Sequence, residues 1–336
     1  MGGTSLARLG VWFTVACWGA SFVAADALLQ GTGPGSAVLS PITLAAARFS
    51  LAALCFAVPL IRAALRGQIR AAHVWRMAIL GLSAYTFYFW LQYTGVADTN
   101  AAVASILVVG MIPLMTALVA YIMGQERLSL QRLLALLLGL LGIILIVVVP
   151  RQGPVVSWTS GYVFGALCLV ANSLLWAFNS TFSRTWMQGG GLSPVVLTGG
   201  SMTFGAIGLV IGSLVVPTAH GWGSLLRLSP GGVADLLFLT GVCSVAGYFL
   251  YNFALTRLPA SEAAFYIYFE PLVAIALGVT LLRERLAPEV VVGAVLLALS
   301  AVLIVRTSNS AAEVAGSRDA RDLIAVIGDA HDRAGR

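Results

Sequence analysis

The chain predicts an all-α integral membrane protein, with ten transmembrane helices arranged as two inverted five-helix repeats around a central cavity. Three observations carry that prediction. Of the 336 residues, 59% are hydrophobic and 10% charged, with a mean hydropathy of +0.94, which is more apolar side chain than one soluble core can hide. Apolar runs recur along nearly the whole length, each near the roughly 20 residues that cross a hydrocarbon layer of about 30 Å. One constant shift of 158 residues (271 − 113) carries Pro113 onto Pro271, Glu126 onto Glu284, Leu128 onto Leu286 and Trp18 onto Trp176. Such a repeat is read first because it decides the architecture.

The ten candidate spans lie at about 9–29, 41–61, 77–95, 101–123, 133–149, 161–182, 194–216, 233–255, 263–282 and 289–305. The first follows Arg8 and ends in small residues as a signal peptide does, but so many spans follow it that an uncleaved first helix is expected. Five is an odd number of crossings, so the unit 1–150 and the unit 151–306 start on opposite sides and are inverted. A binding site is then expected near the midplane, where the two units meet. The remainder, 307–336, is polar except for one apolar patch at 323–327 and reads as a mostly disordered cytoplasmic tail.

Charge reports orientation. The net charge is +6 and every basic residue is an arginine. These arginines sit in short loops between apolar runs, so a nucleic-acid partner is not indicated. With the amino terminus in the cytoplasm, the inner loops hold Arg62, Arg66, Arg70, Arg76, Arg127, Arg132, Arg184 and Arg257, and the outer loops hold Arg151, Arg227, Arg283 and Arg285. The excess predicts that both termini are cytoplasmic. Cys17, Cys55, Cys168 and Cys243 fall inside apolar runs without metal or redox spacing and are expected to pack as small hydrophobes.

Two stretches interrupt apolar helices with proline, Gly110-Met111-Ile112-Pro113-Leu114 and Tyr268-Phe269-Glu270-Pro271-Leu272. Proline removes a backbone donor and bends the axis, and a bilayer tolerates that only where protein or a cavity satisfies the freed carbonyl. Both kinks are therefore expected to face the bundle interior, with Pro113 and Pro271 as hinges. The second carries an acid at membrane depth, which is by default a functional group. On an α-helix Tyr266 and Glu270 share one face, so the phenol could donate to the carboxyl. Desolvation favours the neutral acid and suits Glu270 to taking up and releasing a proton. A purely structural role, capping carbonyls freed by Pro271, is the alternative.

Trp18 and Trp176 occupy matching places in the first helix of each half, in Trp18-Gly19-Ala20-Ser21-Phe22 and Trp176-Ala177-Phe178-Asn179. Deep in a span, an indole suits a cavity wall or a packing knob, and Ser21 and Asn179 could line the same cavity. Arg48, about a third of the way into the second span, must find a carboxylate, carbonyls or water, or snorkel to the interface. Asp26 is one conceivable partner for it. Tyr85, Tyr88, Gln92, Asn172, Tyr248 and Asn252 lie inside apolar runs and should face the bundle or a wet cavity. Glu126 and Glu284 read as turn residues that cap or pair locally. Gly161 with Gly165, and Gly208 with Gly212, have the spacing that brings backbones close in lipid. There is no HExxH, no phosphate-cradling glycine loop and no carboxylate pair spaced for intramembrane proteolysis, so neither a metal site nor catalysis is expected.

The residues Trp18-Gly19-x-Ser21-Phe22, Pro41 with Arg48-Phe49, and the doubled Pro113…Glu126-x-Leu128 and Pro271…Glu284-x-Leu286 resemble the EamA-like branch of the drug/metabolite transporter superfamily. The resemblance covers about 9–305. It implies ten helices in two inverted repeats, a central cavity, no cofactor, and export of amino acids, related metabolites or toxic compounds across a bacterial inner membrane. Two departures stand out: Trp176 is followed by Ala177 where the pattern has glycine, and no arginine in the second half answers to Arg48. The mechanism expected is alternating access, with Glu270 either holding a cationic or amino group of the substrate or carrying a coupling proton. The partners expected are a small-molecule substrate, protons and the lipid bilayer; a monomer and a homodimer stay equally open. The alternatives are a nucleotide-sugar or lipid-linked substrate, and a non-transporting membrane scaffold.

Overall fold

The structure, a computed structural model, describes residues 3–31, 37–98, 106–127, 129–148, 160–216 and 220–270, with 272–273, 292–293, 295–296, 299–300 and 303. Pro271, Leu128, Glu284, Leu286, most of the tenth predicted span and the tail 307–336 lie outside the described residues. All regular structure among the described residues is helical.

Three helices open on Ser-Pro, which sets their boundaries sharply. Ser40, Ser193 and Ser229 each accept a bond from the backbone N–H three residues on, and a proline with no N–H to lose occupies the first helical position. The helices are α1 (Gly3–Gln30), α2 (Pro41–Leu65), α3 (Ala71–Gly81), α4 (Tyr88–Asp98), α5 (Met111–Ile122) and α6 (Leu130–Val148). They continue with α7 (Ser160–Gly190), α8 (Pro194–Val215), α9 (Pro230–Leu237), α10 (Tyr248–Leu255) and α11 (Ala260–Phe265). Among the described residues four helical stretches, Pro41–Leu65, Val163–Gly189, Pro194–Val215 and Pro230–Leu255, are long and apolar enough to cross a membrane, and Val108–Ile122 and Leu130–Gly142 are shorter apolar helices. Large apolar side chains such as Leu54, Leu167 and Leu214 stand outward and exposed, as lipid-facing residues do.

Wide π-helical turns, rare and often found at functional places, interrupt three of the rods. Leu82–Phe87 joins α3 to α4, Phe238–Gly247 joins α9 to α10, and Ile106–Gly110 leads into α5. The 158-residue shift carries 82–87 onto 240–245, inside the second wide turn.

The packing pattern is also doubled. α4 lies on α7, and the Phe238–Gly247 turn and α10 lie on α1; α2 lies on α8, and α5 on α11. Close approach uses glycine. A Cβ on Gly81 would fall 2.2 Å from the Ser201 carbonyl and one on Gly208 2.2 Å from Thr86 Oγ1, so Gly208 packs tightly as the sequence predicts. Gly161 does not: nothing lies within 4 Å of the place its Cβ would take, because the start of α7 faces outward. The four cysteines are free.

Candidate functional site

The centre of the bundle is an aromatic cluster assembled from six helical segments. The Trp18 ring of α1 meets Trp176 of α7 edge to face with centroids 5.3 Å apart, Tyr248 of α10 at 5.0 Å and Tyr251 at 5.6 Å. Tyr85, in the first wide turn, packs on Tyr248 at 5.1 Å and on Phe49 of α2 at 4.9 Å. Tyr88 reaches Trp176 at 5.6 Å. Edge-on and tilted pairings of this kind add to the burial itself, by about 0.5–1.5 kcal/mol each.

Hydrogen bonds fix the rings. Trp18 Nε1 donates to the Cys243 carbonyl at 2.9 Å, inside the second wide turn, whereas Trp176 Nε1 donates to the Tyr251 hydroxyl at 3.3 Å. Ser180 Oγ lies 3.1 Å from that same hydroxyl. Two donors correspond under the 158-residue shift (172 − 14): Thr14 Oγ1, which bonds the Gly10 carbonyl at 2.9 Å, also reaches the Gly247 carbonyl at 3.2 Å, and Asn172 Nδ2 reaches the Tyr88 carbonyl at 2.6 Å. Each plugs the end of a wide turn with a donor from the other half. Bilayer helices keep irregular backbone satisfied in this way.

Glu270 lies beside this cluster and is only 7% exposed. α1 comes against its backbone because residue 19 is glycine; a Cβ there would sit 2.7 Å from the Glu270 carbonyl. Among the described residues no side chain donates to the carboxyl. Arg48 Nε donates to Ser244 Oγ at 2.6 Å, and its guanidinium stands 5.1 Å over the Phe49 ring. Its hydrogen-bond partner is thus the second wide turn; the side chain of Asp26 lies outside the described residues.

Of the residues singled out in the sequence, Trp18, Trp176, Tyr85, Tyr248 and Arg48 converge here with Glu270. Tyr266 does not share the face of Glu270. Residues Tyr266–Phe269 wind as a 3₁₀ turn, and at about three residues per turn positions four apart stand roughly a third of a turn from each other. Tyr266 packs edge-on to Trp12 at 5.2 Å instead. Ser21 returns its hydroxyl to the Trp18 carbonyl at 2.6 Å. Asn179 donates to the Leu80 carbonyl at 3.2 Å, and Asn252 to Thr198 Oγ1 at 2.9 Å, each joining one helix to another. Tyr251 and Phe49 belong to the cluster but were not singled out as site residues. The i, i+3 spacing of Tyr251 from Tyr248 was the available signal.

Pro113 is buried in the first turn of α5, directly after the wide turn Ile106–Gly110. Tyr268 OH donates to the Gly110 carbonyl at 2.9 Å and Ser173 Oγ to the Val108 carbonyl at 3.4 Å. Pro113 is thus buried in the interior, and the carbonyls of Gly110 and Val108 beside it have side-chain donors. Pro271 lies outside the described residues.

The arginine-rich end is joined by charge. Arg8 Nε meets Glu262 Oε1 at 2.9 Å, and Arg132 Nη2 meets Glu126 Oε2 at 3.0 Å. Ser261 at the start of α11 bonds both Arg132 and Glu126, and its backbone N–H donates to Glu126 Oε1 at 3.2 Å. Arg184 Nε donates to the Leu258 carbonyl at 3.1 Å. Glu126, expected to pair locally, pairs with Arg132 and also ties its turn to α11.

A family model described as the EamA-like transporter family matches residues 6–148 and, separately, 163–306. The chain belongs to the EamA-like transporter family. This membership makes it a membrane transport protein and not an enzyme. Named relatives of this EamA-like chain agree. It is 25% identical over 293 residues to an "Uncharacterized transporter" of Archaeoglobus fulgidus, covering 87% of this chain and 96% of the relative. It is 26% identical over 241 residues to "Uncharacterized transporter YyaM" of Bacillus subtilis, covering 70% and 74%. A solved structure described as "Crystal structure of protein" shares the fold, with a TM-score of 0.71 at 19% identity over 91% of this chain and 98% of the other.

Proposed function

We propose that this EamA-like chain is a secondary active transporter that exports amino acids, related small metabolites or drugs across a bacterial inner membrane by alternating access. In this reading residues 1–150 and 151–306 are two inverted five-helix repeats, ten helices in all, with both termini and the tail 307–336 in the cytoplasm. Support comes from the two separate family matches, from the doubled packing pattern, and from the arginines gathered at one end.

The observation that carries the proposal is a buried acid beside paired aromatics. Glu270, 7% exposed, adjoins the cluster in which Trp18 meets Trp176. A carboxylate set against ring faces suits a cationic or amino group, held by charge and by cation–π attraction. With Arg48 bonded to Ser244 of the adjoining wide turn, the site offers both signs of charge to a zwitterion once Glu270 is ionised. The rings now touch one another, so a substrate enters the central cavity only when the halves part. The ion pairs at the arginine-rich end hold that side shut, and the wide turns beside the site are where the rods can bend. In the same cycle Glu270 can instead carry the coupling proton.

The test is transport by purified protein in proteoliposomes, after a thermal-shift screen of amino acids, polyamines and drugs has found a substrate. A charge-assisted bond is worth about 1.5–3 kcal/mol, so Glu270→Gln is expected to slow transport roughly 10- to 100-fold and to flatten its pH dependence. Wild-type rate with wild-type pH dependence in this variant removes the carboxyl from the mechanism.

A further inference from the structure

At the arginine-rich end, away from the aromatic cluster, two helix-to-helix turns lie side by side. Gly67 (φ +67°) ends the turn after α2, and Gly191 (φ +69°) follows α7. A left-handed glycine reverses the chain at once, so each turn leads directly into a new helix, α3 at Ala71 and α8 at Pro194. Between the turns is a cavity of about 660 Å³ lined by Gln68, Arg70, His73, Leu192, Ser193 and Val196 among others. Arg70 and Ser193, the residues that precede these two helices, thus border one space. Among the described residues no acidic side chain lines it.

The side chains point to the same ligand chemistry. His73 is 5% exposed. Its Nδ1 is engaged by the turn, 3.1 Å from the Gln68 carbonyl and 3.3 Å from the Arg70 N–H. Its Nε2 has no partner among the described residues, and the ring borders the cavity. Arg70 is exposed and forms no ion pair with a described residue. A buried imidazole with one free nitrogen and an uncompensated guanidinium make a receptor for a compact oxyanion.

We propose that this cavity is a second binding site, distinct from the central one, for a phosphate-type anion. Its volume lies in the range of pockets that hold a whole organic group, and Leu192 and Val196 give it an apolar side. Both features suit the headgroup phosphate of an anionic lipid, although a free phosphate satisfies the same polar groups. The site does not depend on what the central cluster transports.

The test uses full-length purified protein and thermal unfolding. In detergent, sodium phosphate is compared with sodium chloride at equal ionic strength; in mixed micelles, phosphatidylglycerol is compared with phosphatidylcholine. At least one anionic arm is expected to raise the wild-type midpoint by about 2–4 °C. A rise with phosphate itself identifies a soluble anion, and a rise confined to phosphatidylglycerol identifies a lipid headgroup; either upholds the site. His73→Asn keeps an acceptor near the Nδ1 position and removes Nε2, and Arg70→Gln removes the guanidinium. Each should lose more than half of the rise, while Arg227→Gln, away from the cavity, keeps it. No rise in the wild type, or a full rise in Arg70→Gln, overturns the proposal, and Arg70→Gln decides alone if His73→Asn fails to fold.

Discussion

Trp18 and Trp176, 158 residues apart in sequence (176 − 18), meet edge to face with ring centroids 5.3 Å apart. Tyr268 and Gly110, separated by the same 158 (268 − 110), meet through a 2.9 Å hydrogen bond. Positions that correspond between the two halves therefore touch each other at two places, the aromatic cluster and the contact of α5 with the segment after α11.

The tryptophans match in place but not in bonding, and their substitution should show it. Trp18→Phe leaves the Cys243 carbonyl without its 2.9 Å donor in a buried setting, a loss of about 1–3 kcal/mol. Trp176→Phe gives up a 3.3 Å bond to a hydroxyl that Ser180 still meets, about 0.5–1.5 kcal/mol. Thermal unfolding in detergent is expected to place Trp18→Phe below Trp176→Phe. The opposite order contradicts the bonding described.

Gly19 lets α1 reach the backbone at Glu270. A methyl group there would lie 2.7 Å from the Glu270 carbonyl and 2.7 Å from Val273 Cβ, and neither can yield without a backbone shift. Gly19→Ala is expected to cost about 1–3 kcal/mol, while Gly161→Ala, with nothing within 4 Å, should stay within about 0.5 kcal/mol. Equal melting temperatures for the two variants would show that the contact at Gly19 is not close.

The ion pair between Arg8 and Glu262 is asymmetric: the arginine side chain is 26% exposed and the glutamate 2%. Arg8→Gln strands a buried carboxylate, whereas Glu262→Gln leaves an arginine that can turn to water. Breaking a fully buried pair costs about 3–5 kcal/mol, and the partial exposure of Arg8 puts this case below that range. Denaturation is expected to rank Arg8→Gln as the less stable variant, with the double variant recovering part of the loss.

Tyr268→Phe tests the bonds of this phenol to the end of the wide turn before α5 and to α6. The ring that packs on Gly139 is kept, and the hydroxyl that serves the carbonyls of Gly110 at 2.9 Å and Leu136 at 3.3 Å is lost. A drop of about 1–3 kcal/mol, read as a lower unfolding midpoint, is expected. An unchanged midpoint would mean that another donor takes over both carbonyls.

The helical rods were legible because apolar length and Ser-Pro starts are written locally, as at Ser40-Pro41 and Ser193-Pro194. The matching of Trp18 with Trp176 was legible from the constant shift. The wide turns at Leu82–Phe87 and Phe238–Gly247 were not, since an extra residue in a helix leaves no composition signal and depends on donors such as Thr14 and Asn172 arriving from elsewhere. Tyr266 was aligned with Glu270 by assuming α-helical spacing, and the 3₁₀ turn at Tyr266–Phe269 removes that alignment. The bond from Arg48 to Ser244 spans 196 positions, and no local pattern reports a partner so distant.

The crossed bonds of Thr14 and Asn172 bear on how the molecule is made. The Gly247 carbonyl receives its donor from α1, and the Tyr88 carbonyl receives its donor from α7. A polypeptide that ended after α6 would carry the Tyr88 carbonyl into lipid without the amide that serves it. During synthesis the Tyr88 carbonyl gains this amide only once α7 is inserted beside α4. Neither part alone is a finished object, and two separately encoded pieces should accumulate only when a cell produces both.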